Sequence, residues 1–263
     1  MQEDLTRATY DAVYSAMPES PTLRRLWHEH VEGLDFPEEF GHISFVTLSQ
    51  LRRMAAELRL GPGDTLVDLG CGMGGPALWV ARETGARLIG VDFSPVAVEK
   101  AGARAAELGL SGQAQFVVGS FADTGLEPGS ADGAMSEDAI DYAPDKRAAI
   151  VEAARILRPG GRLVVTTFEV DPDRVASLPD STVDPVADYR PLLAEAGFGV
   201  EVYEEVPGWP EPLTSAYSAA LEASDAMKQE LGEVAAQAMI FEMSRTLEQR
   251  IIRRRVLIAA TRE

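Results

Sequence analysis

Short apolar runs alternate with longer segments whose apolar positions recur every three and four residues across the middle of the chain. Residues 65–69, 87–91, 115–118, 131–135 and 163–167 are runs of mainly β-branched and aliphatic residues, the pattern of buried strands. Between them, 77–84, 95–108 and 145–157 place Leu78, Val98, Ala101, Ala105, Ile150 and Ala154 at helical spacing. Pro76 and Pro95 suit first helical positions, Ser94 suits an N-cap, and Gly85 and Gly109 mark helix ends. Such βα repetition predicts a parallel sheet with helices on both faces. Beyond it, 172–185 reads as loop, 189–196 as a helix closed by Gly197, and 200–206 as a sixth strand. A seventh strand, 256–261, follows about fifty residues later. The intervening 216–231 and 234–251 are rich in Ala, Glu, Leu and Met without internal proline, which predicts two inserted helices. Upstream, 1–40 predicts amphipathic helices that need a surface to pack on, and 45–60 a helix ended by Gly61-Pro62-Gly63.

The run T-L-V-D-L-G-C-G-M-G-G, 65–75, is the chemical centre of this pattern. Gly70, Gly72 and Gly74 permit a tight turn after the first strand and let a nucleoside-type ligand approach the backbone. Gly70, Gly72 and Gly75 also satisfy the dinucleotide spacing, so the glycines alone leave a nicotinamide dehydrogenase open. Asp68 argues for a cationic ligand, because a carboxylate there accepts from an ammonium and repels a pyrophosphate. Asp92, some twenty residues on, stands where an acid accepts ribose hydroxyls.

V-D-L-G-C-G-M-G-G resembles the first motif of the class I S-adenosylmethionine-dependent methyltransferases. The resemblance continues through Gly90-Val91-Asp92-Phe93-Ser94, Gly119-Ser120-Phe121-Ala122, 131–138, and the Pro159-Gly160-Gly161 turn into the fifth strand. It implies S-adenosylmethionine as cofactor, held by Asp68, Gly70, Cys71, Gly72, Gly74, Asp92, Phe93, Ser120, Phe121, Ala122, Ser136 and Glu137. Ser120 departs from the acid that many relatives carry there to receive the adenine amino group. The implied fold is α/β: a doubly wound, mostly parallel, seven-stranded Rossmann-like sheet, its last strand antiparallel. A core of 43–210 and 252–263 would carry an N-terminal helical cap, 1–42, and a helical insert, 211–251.

A net charge of −18 argues against nucleic acid or anionic lipid as a partner. No apolar run approaches the roughly 18 residues of a membrane span, and the N-terminal residues lack a signal-peptide core. A soluble cytoplasmic enzyme is expected. Cys71 is the single cysteine, which excludes an intrachain disulfide and a cysteine cluster; the expected role is a small residue packed beneath the cofactor. No metal site is expected.

Methyl transfer from a sulfonium needs an acceptor held in line and, where that acceptor keeps its proton tightly, a base. Many relatives place a histidine after the fourth strand; here that place holds Asp141 or Tyr142. Asp141, Tyr142, Glu169 and His42 are the catalytic candidates, with Asp141 favoured because Glu137, Asp138 and Asp145, together with partial burial under the cap, would raise its pKa. The expected activity is methylation of a small molecule, a secondary metabolite, at oxygen, nitrogen or carbon. The alternatives are the nicotinamide dehydrogenase and a cofactor-binding protein that performs a rearrangement or cyclisation. The insert could pack, form a homodimer face, or close over the acceptor.

Overall fold

The computed structural model describes residues 2–33, 36–175 and 186–263. Seven strands, β1 (Thr65–Leu69), β2 (Arg87–Asp92), β3 (Ala114–Val118), β4 (Ala131–Glu137), β5 (Leu157–Val170), β6 (Phe198–Glu205) and β7 (Arg253–Arg262), form one sheet ordered β3-β2-β1-β4-β5-β7-β6. Pairing is parallel from β3 through β5, and β7 runs antiparallel to both β5 and β6. The chain moves outward from β1 to β3 and then returns to β4 on the other side of β1. That reversal opens a crevice at the carboxyl ends of β1 and β4, where sheets of this kind bind ligands.

The helices are α1 (Gln2–Ala16), α2 (Pro21–Trp27), α3 (Leu48–Leu58), α4 (Gly75–Thr84), α5 (Pro95–Glu107), α6 (Lys146–Ile156), α7 (Pro172–Val175), α8 (Arg190–Glu195), α9 (Pro210–Glu222), α10 (Ser224–Leu231) and α11 (Glu233–Gln249). Local chemistry sets their starts. Thr47 and Gln50 form a capping box on α3, Ser94 accepts from Ala97 N–H ahead of Pro95, and Asp145 accepts from Ala148 N–H. Each such cap contributes about 1 kcal/mol.

Successive strand residues point to opposite faces. Leu66, Met135, Val164 and Leu257 join a core with α3, α4, both N-terminal helices and the insert. Val67, Ala134, Leu163 and Ile258 join a second core with α6 and α8. Burial on both faces is why the strands read as near-continuous apolar runs. Leu51 and Met54, fully buried on α3, are sites where truncation to alanine would cost about 2–5 kcal/mol.

The insert departs from expectation: it contains three helices, and it begins at Pro210. Gly232, at φ 76°, makes the foreseen break, but Ala223 (φ −89°, ψ 14°) makes another that no glycine or proline announces. Tertiary contacts explain it, because α10 turns so that Glu230 accepts from Ser20 Oγ (2.6 Å), Thr22 N–H (3.1 Å) and Thr22 Oγ1 (2.7 Å). The loop expected over 172–185 starts with the helical turn α7; 176–185 lie outside the described residues. No helix among the described residues is long and apolar enough to cross a membrane.

Candidate active site

The loop after β1 forms a backbone cradle at the crevice. Gly70 N–H and Cys71 N–H both donate to Val91 O, at 2.9 and 3.0 Å, which draws the loop onto the end of β2. Gly70 and Gly72 hold φ of 79° and 49°, values glycine adopts at no steric cost. A Cβ on Gly70 would lie 2.8 Å from both the Phe121 ring and Ala139 Cβ, so the position has no room for a side chain. Gly74 stands at the N-cap of α4.

Asp92 fastens the cradle from below. Its Oδ2 accepts from Gly72 N–H at 2.8 Å and its Oδ1 from Ser94 N–H at 2.9 Å. Each oxygen retains a lone pair for a ligand hydroxyl. Burial raises the Asp92 carboxyl, against the lowering effect of those two N–H groups. Asp68 is pushed up to about 8 by burial and by the charge of Asp92. Glu137 is raised by burial and by Asp138, and its Oε1 is buried without a hydrogen-bond partner. Three buried carboxyls that resist ionisation suit a ligand that carries positive charge. Burial also keeps Cys71 a thiol, which fits packing rather than nucleophilic chemistry.

The other expected cofactor residues divide. Phe121 packs on Gly70, and Phe93 meets the Tyr10 ring edge-on at 5.4 Å. Ser136 Oγ donates to Leu69 O at 2.9 Å, tying β4 to β1. Ser120 is exposed, and its hydroxyl accepts from Asp123 N–H at 3.1 Å in a turn that leaves Ala122 exposed.

Asp141 and Tyr142 lie together on the 3-10 turn Ile140–Tyr142. Asp141 is 9% exposed, and its Oδ1 is buried without a partner. Burial is the main cause that pushes its carboxyl up to about 7; Arg253 and Lys146 oppose this and Asp138 adds to it. Both expected causes act: burial is the larger, and Asp138 is the neighbouring acid that adds to it. Tyr142 donates to Glu242 Oε1 on α11 at 2.5 Å.

Glu169 and His42 have other partners. Glu169 is buried and accepts from Tyr203 Oη and from the Arg254 guanidinium, whose Nε is 2.8 Å away. His42 Nδ1 shares a 2.9 Å hydrogen bond with Ser44 Oγ, and its ring meets Phe36 at 4.8 Å. Burial lowers its pKa to about 3, so the imidazole is neutral at physiological pH.

Sequence reasoning passed over Tyr10, Tyr14, Tyr217, Glu242 and Arg253. The Tyr14 hydroxyl is 3.3 Å from where a Gly72 Cβ would stand, so α1 reaches the cradle. The i, i+4 spacing of Tyr10 and Tyr14 marked a helix face; nothing in α11 singled out Glu242 among its acids.

A family model described as a methyltransferase domain matches residues 67–165. The 27-O-demethylrifamycin SV methyltransferase of Amycolatopsis mediterranei (strain S699) is 30% identical over 201 residues, covering 72% of this chain and 74% of that protein. The crystal structure of the [4+2]-cyclase SpnF superposes with a TM-score of 0.75 at 21% identity, covering 98% of this chain and 94% of that one. Geranyl diphosphate methyltransferase in complex with S-adenosylmethionine gives a TM-score of 0.62 at 25% identity, covering 82% and 85%. The cradle, its carboxyl surroundings and the strand order agree with these matches: the chain belongs to the class I S-adenosylmethionine-dependent methyltransferases that act on small molecules, and S-adenosylmethionine is its cofactor.

Proposed function

We propose that this enzyme methylates a hydroxyl oxygen of a small secondary metabolite, with Asp141 as the base. The observation that carries this reading is the unpartnered, buried Oδ1 of Asp141 on a carboxyl held at about 7. A base poised near neutrality can take a hydroxyl proton far better than one near 4. The relative that by its name acts on an oxygen of a rifamycin supports an oxygen acceptor.

The cofactor supplies an electrophilic methyl group on a sulfonium. Asp92 would accept from the ribose hydroxyls, while Asp68 and Glu137 would face the positively charged end. Gly70, Cys71, Gly72 and Gly74 would line the backbone approach, and Phe93 and Phe121 would lie against the base beside Ser120 and Ala122. Ser136 holds β4 in register behind them. Residues 1–42 and 211–251 would act as a lid over a core of 43–210 and 252–263, excluding water from the transfer. Tyr142 would orient the acceptor.

Asp141→Asn tests the base in single turnovers with hydroquinone as the probe acceptor and cofactor affinity measured separately. A chemical step slowed more than about tenfold, or 1.4 kcal/mol of barrier, is expected. An unchanged step would remove Asp141 as the base. Release of one S-adenosylhomocysteine per methylated product is also expected; product formed with the cofactor unconsumed would favour the rearrangement or cyclisation reading.

A further inference from the structure

Aromatic and acidic side chains from α1, α9, α11 and the 3-10 turn gather near Asp141. Tyr10 of α1 meets Tyr142 edge-on at 6.3 Å and lies 6.1 Å from Tyr14. Tyr217 of α9 packs edge-on to Phe45 at 5.2 Å. Asp141 and Glu242 both act electrostatically on Tyr10, Tyr142 and Tyr217, so the two carboxyls lie within electrostatic range of the same three rings. Tyr142 is held there by Glu242 and yet is 51% exposed, so its ring borders open space. Asp141, which precedes Tyr142 in sequence, is nine-tenths buried with an unpartnered Oδ1, and it lines a small cavity with Lys146, Phe168, Tyr189 and Arg253.

We propose that Glu242 and Tyr142 form a pair that reads the acceptor, and that the acceptor class is a neutral hydroxylated aromatic; this rests on the oxygen-methylation reading above. Glu242 accepts from Tyr142 and, as a carboxylate, can accept a further hydrogen bond from an acceptor hydroxyl. The rings of Tyr10, Tyr142 and Phe93 already stand edge-to-face, an arrangement that a further aromatic ring extends. Arg253 places a guanidinium in the field of Asp141, Tyr217 and Glu242. Together with a cationic cofactor it offsets the charge of Asp141 and Glu242, so little net negative charge remains to draw an ammonium and a neutral hydroxyl is the preferred donor. Glu242 touches the acceptor in this arrangement and sets specificity, while Asp141 remains the base.

Calorimetry on the full chain saturated with S-adenosylhomocysteine tests the pair with three probes: hydroquinone, 1,4-dimethoxybenzene and tyramine. Hydroquinone should bind more tightly than dimethoxybenzene, which has no donor, and more tightly than tyramine, which carries an ammonium. Glu242→Gln should weaken hydroquinone about tenfold or more and leave dimethoxybenzene unchanged, as expected for a lost hydrogen bond to a charged group. Equal binding of hydroquinone and dimethoxybenzene, or an unaffected Glu242→Gln, overturns the proposal; preference for tyramine overturns the neutral class. If Glu242→Gln no longer holds S-adenosylhomocysteine, Glu242→Asp and Tyr142→Phe replace it: either should weaken hydroquinone selectively, and failure of both to do so overturns the pair. The base assignment fails separately, since Asp141→Asn reports on the transfer rate and these titrations report on affinity.

Discussion

Arg255 binds Asp138 in a two-pronged ion pair at the foot of the site. Arg255 Nε donates to Oδ1 and Nη2 to Oδ2, each at 2.8 Å, with Arg255 0% exposed. Its Nη1 donates to Gln50 Oε1 at 2.8 Å, and Asp138 Oδ2 also accepts from Phe45 N–H at 3.1 Å. One guanidinium thereby joins β7, the end of β4, the cap of α3 and the segment leading from the N-terminal helices.

Removing one partner of such a pair leaves an uncompensated buried charge. Arg255→Met should destabilise the fold by about 3–5 kcal/mol in urea unfolding, and the double variant Arg255→Met, Asp138→Asn should recover part of the loss. Additive costs in the double variant would contradict the pairing.

Asp92→Ala removes an acceptor of two loop N–H groups as well as the expected ribose contact. Cofactor affinity should fall by about 1–3 kcal/mol, roughly five- to 150-fold, by calorimetry with S-adenosylhomocysteine. An unchanged dissociation constant would mean the acid does not hold the ribose.

Asp68 should make cofactor binding and stability respond to pH in opposite senses. An unfolded aspartate ionises near about 3.9, whereas folded Asp68 ionises at about 8. Between those values the native state keeps a proton that the unfolded chain has lost, so stability without cofactor should fall as pH rises to about 8 and then level. A cationic ligand favours the ionised carboxylate, so affinity for S-adenosylmethionine should rise across the upper part of that window. Thermal unfolding and calorimetry from about pH 6 to about pH 9 check both slopes. Asp68→Asn should flatten the affinity slope and make the stability slope shallower, leaving the part that Asp141 contributes up to about pH 7; an affinity slope that persists in this variant would assign the effect to another group.

Glu230 links the insert to the N-terminal helices through the hydroxyls of Ser20 and Thr22 and the N–H of Thr22. Glu230→Ala should cost about 1–2 kcal/mol, discounted for its partial exposure, and should impair acceptor turnover while cofactor affinity stays near wild type. Loss of cofactor affinity in a folded variant would place the insert's role elsewhere than in the lid.

The core was legible in the sequence because its strands are buried on both faces and its turns are written in glycine and proline. Thr65 to Gly75 carried strand, cradle and helix start within one run. Asp92 was legible for the same reason, as a polar residue ending an apolar strand. Ala223 was not, since the break there comes from α10 docking against α2 rather than from any local preference. Nor was Glu242 legible: its significance lies in a hydrogen bond to a residue one hundred positions away. Burial of Asp141 likewise depends on elements distant in sequence, so its raised pKa was anticipated in direction and in both causes, but the predominance of burial over the neighbouring acids was not legible.

Because β7 is antiparallel to both of its neighbours, the link from β6 to β7 must emerge at the same edge of the sheet as the cradle. The geometry acts as a socket. A segment placed between Glu205 and Arg253 leaves the sheet and re-enters it on the side of the cradle whatever its length, so growth of the chain at that point adds mass over the crevice rather than at the far side of the sheet.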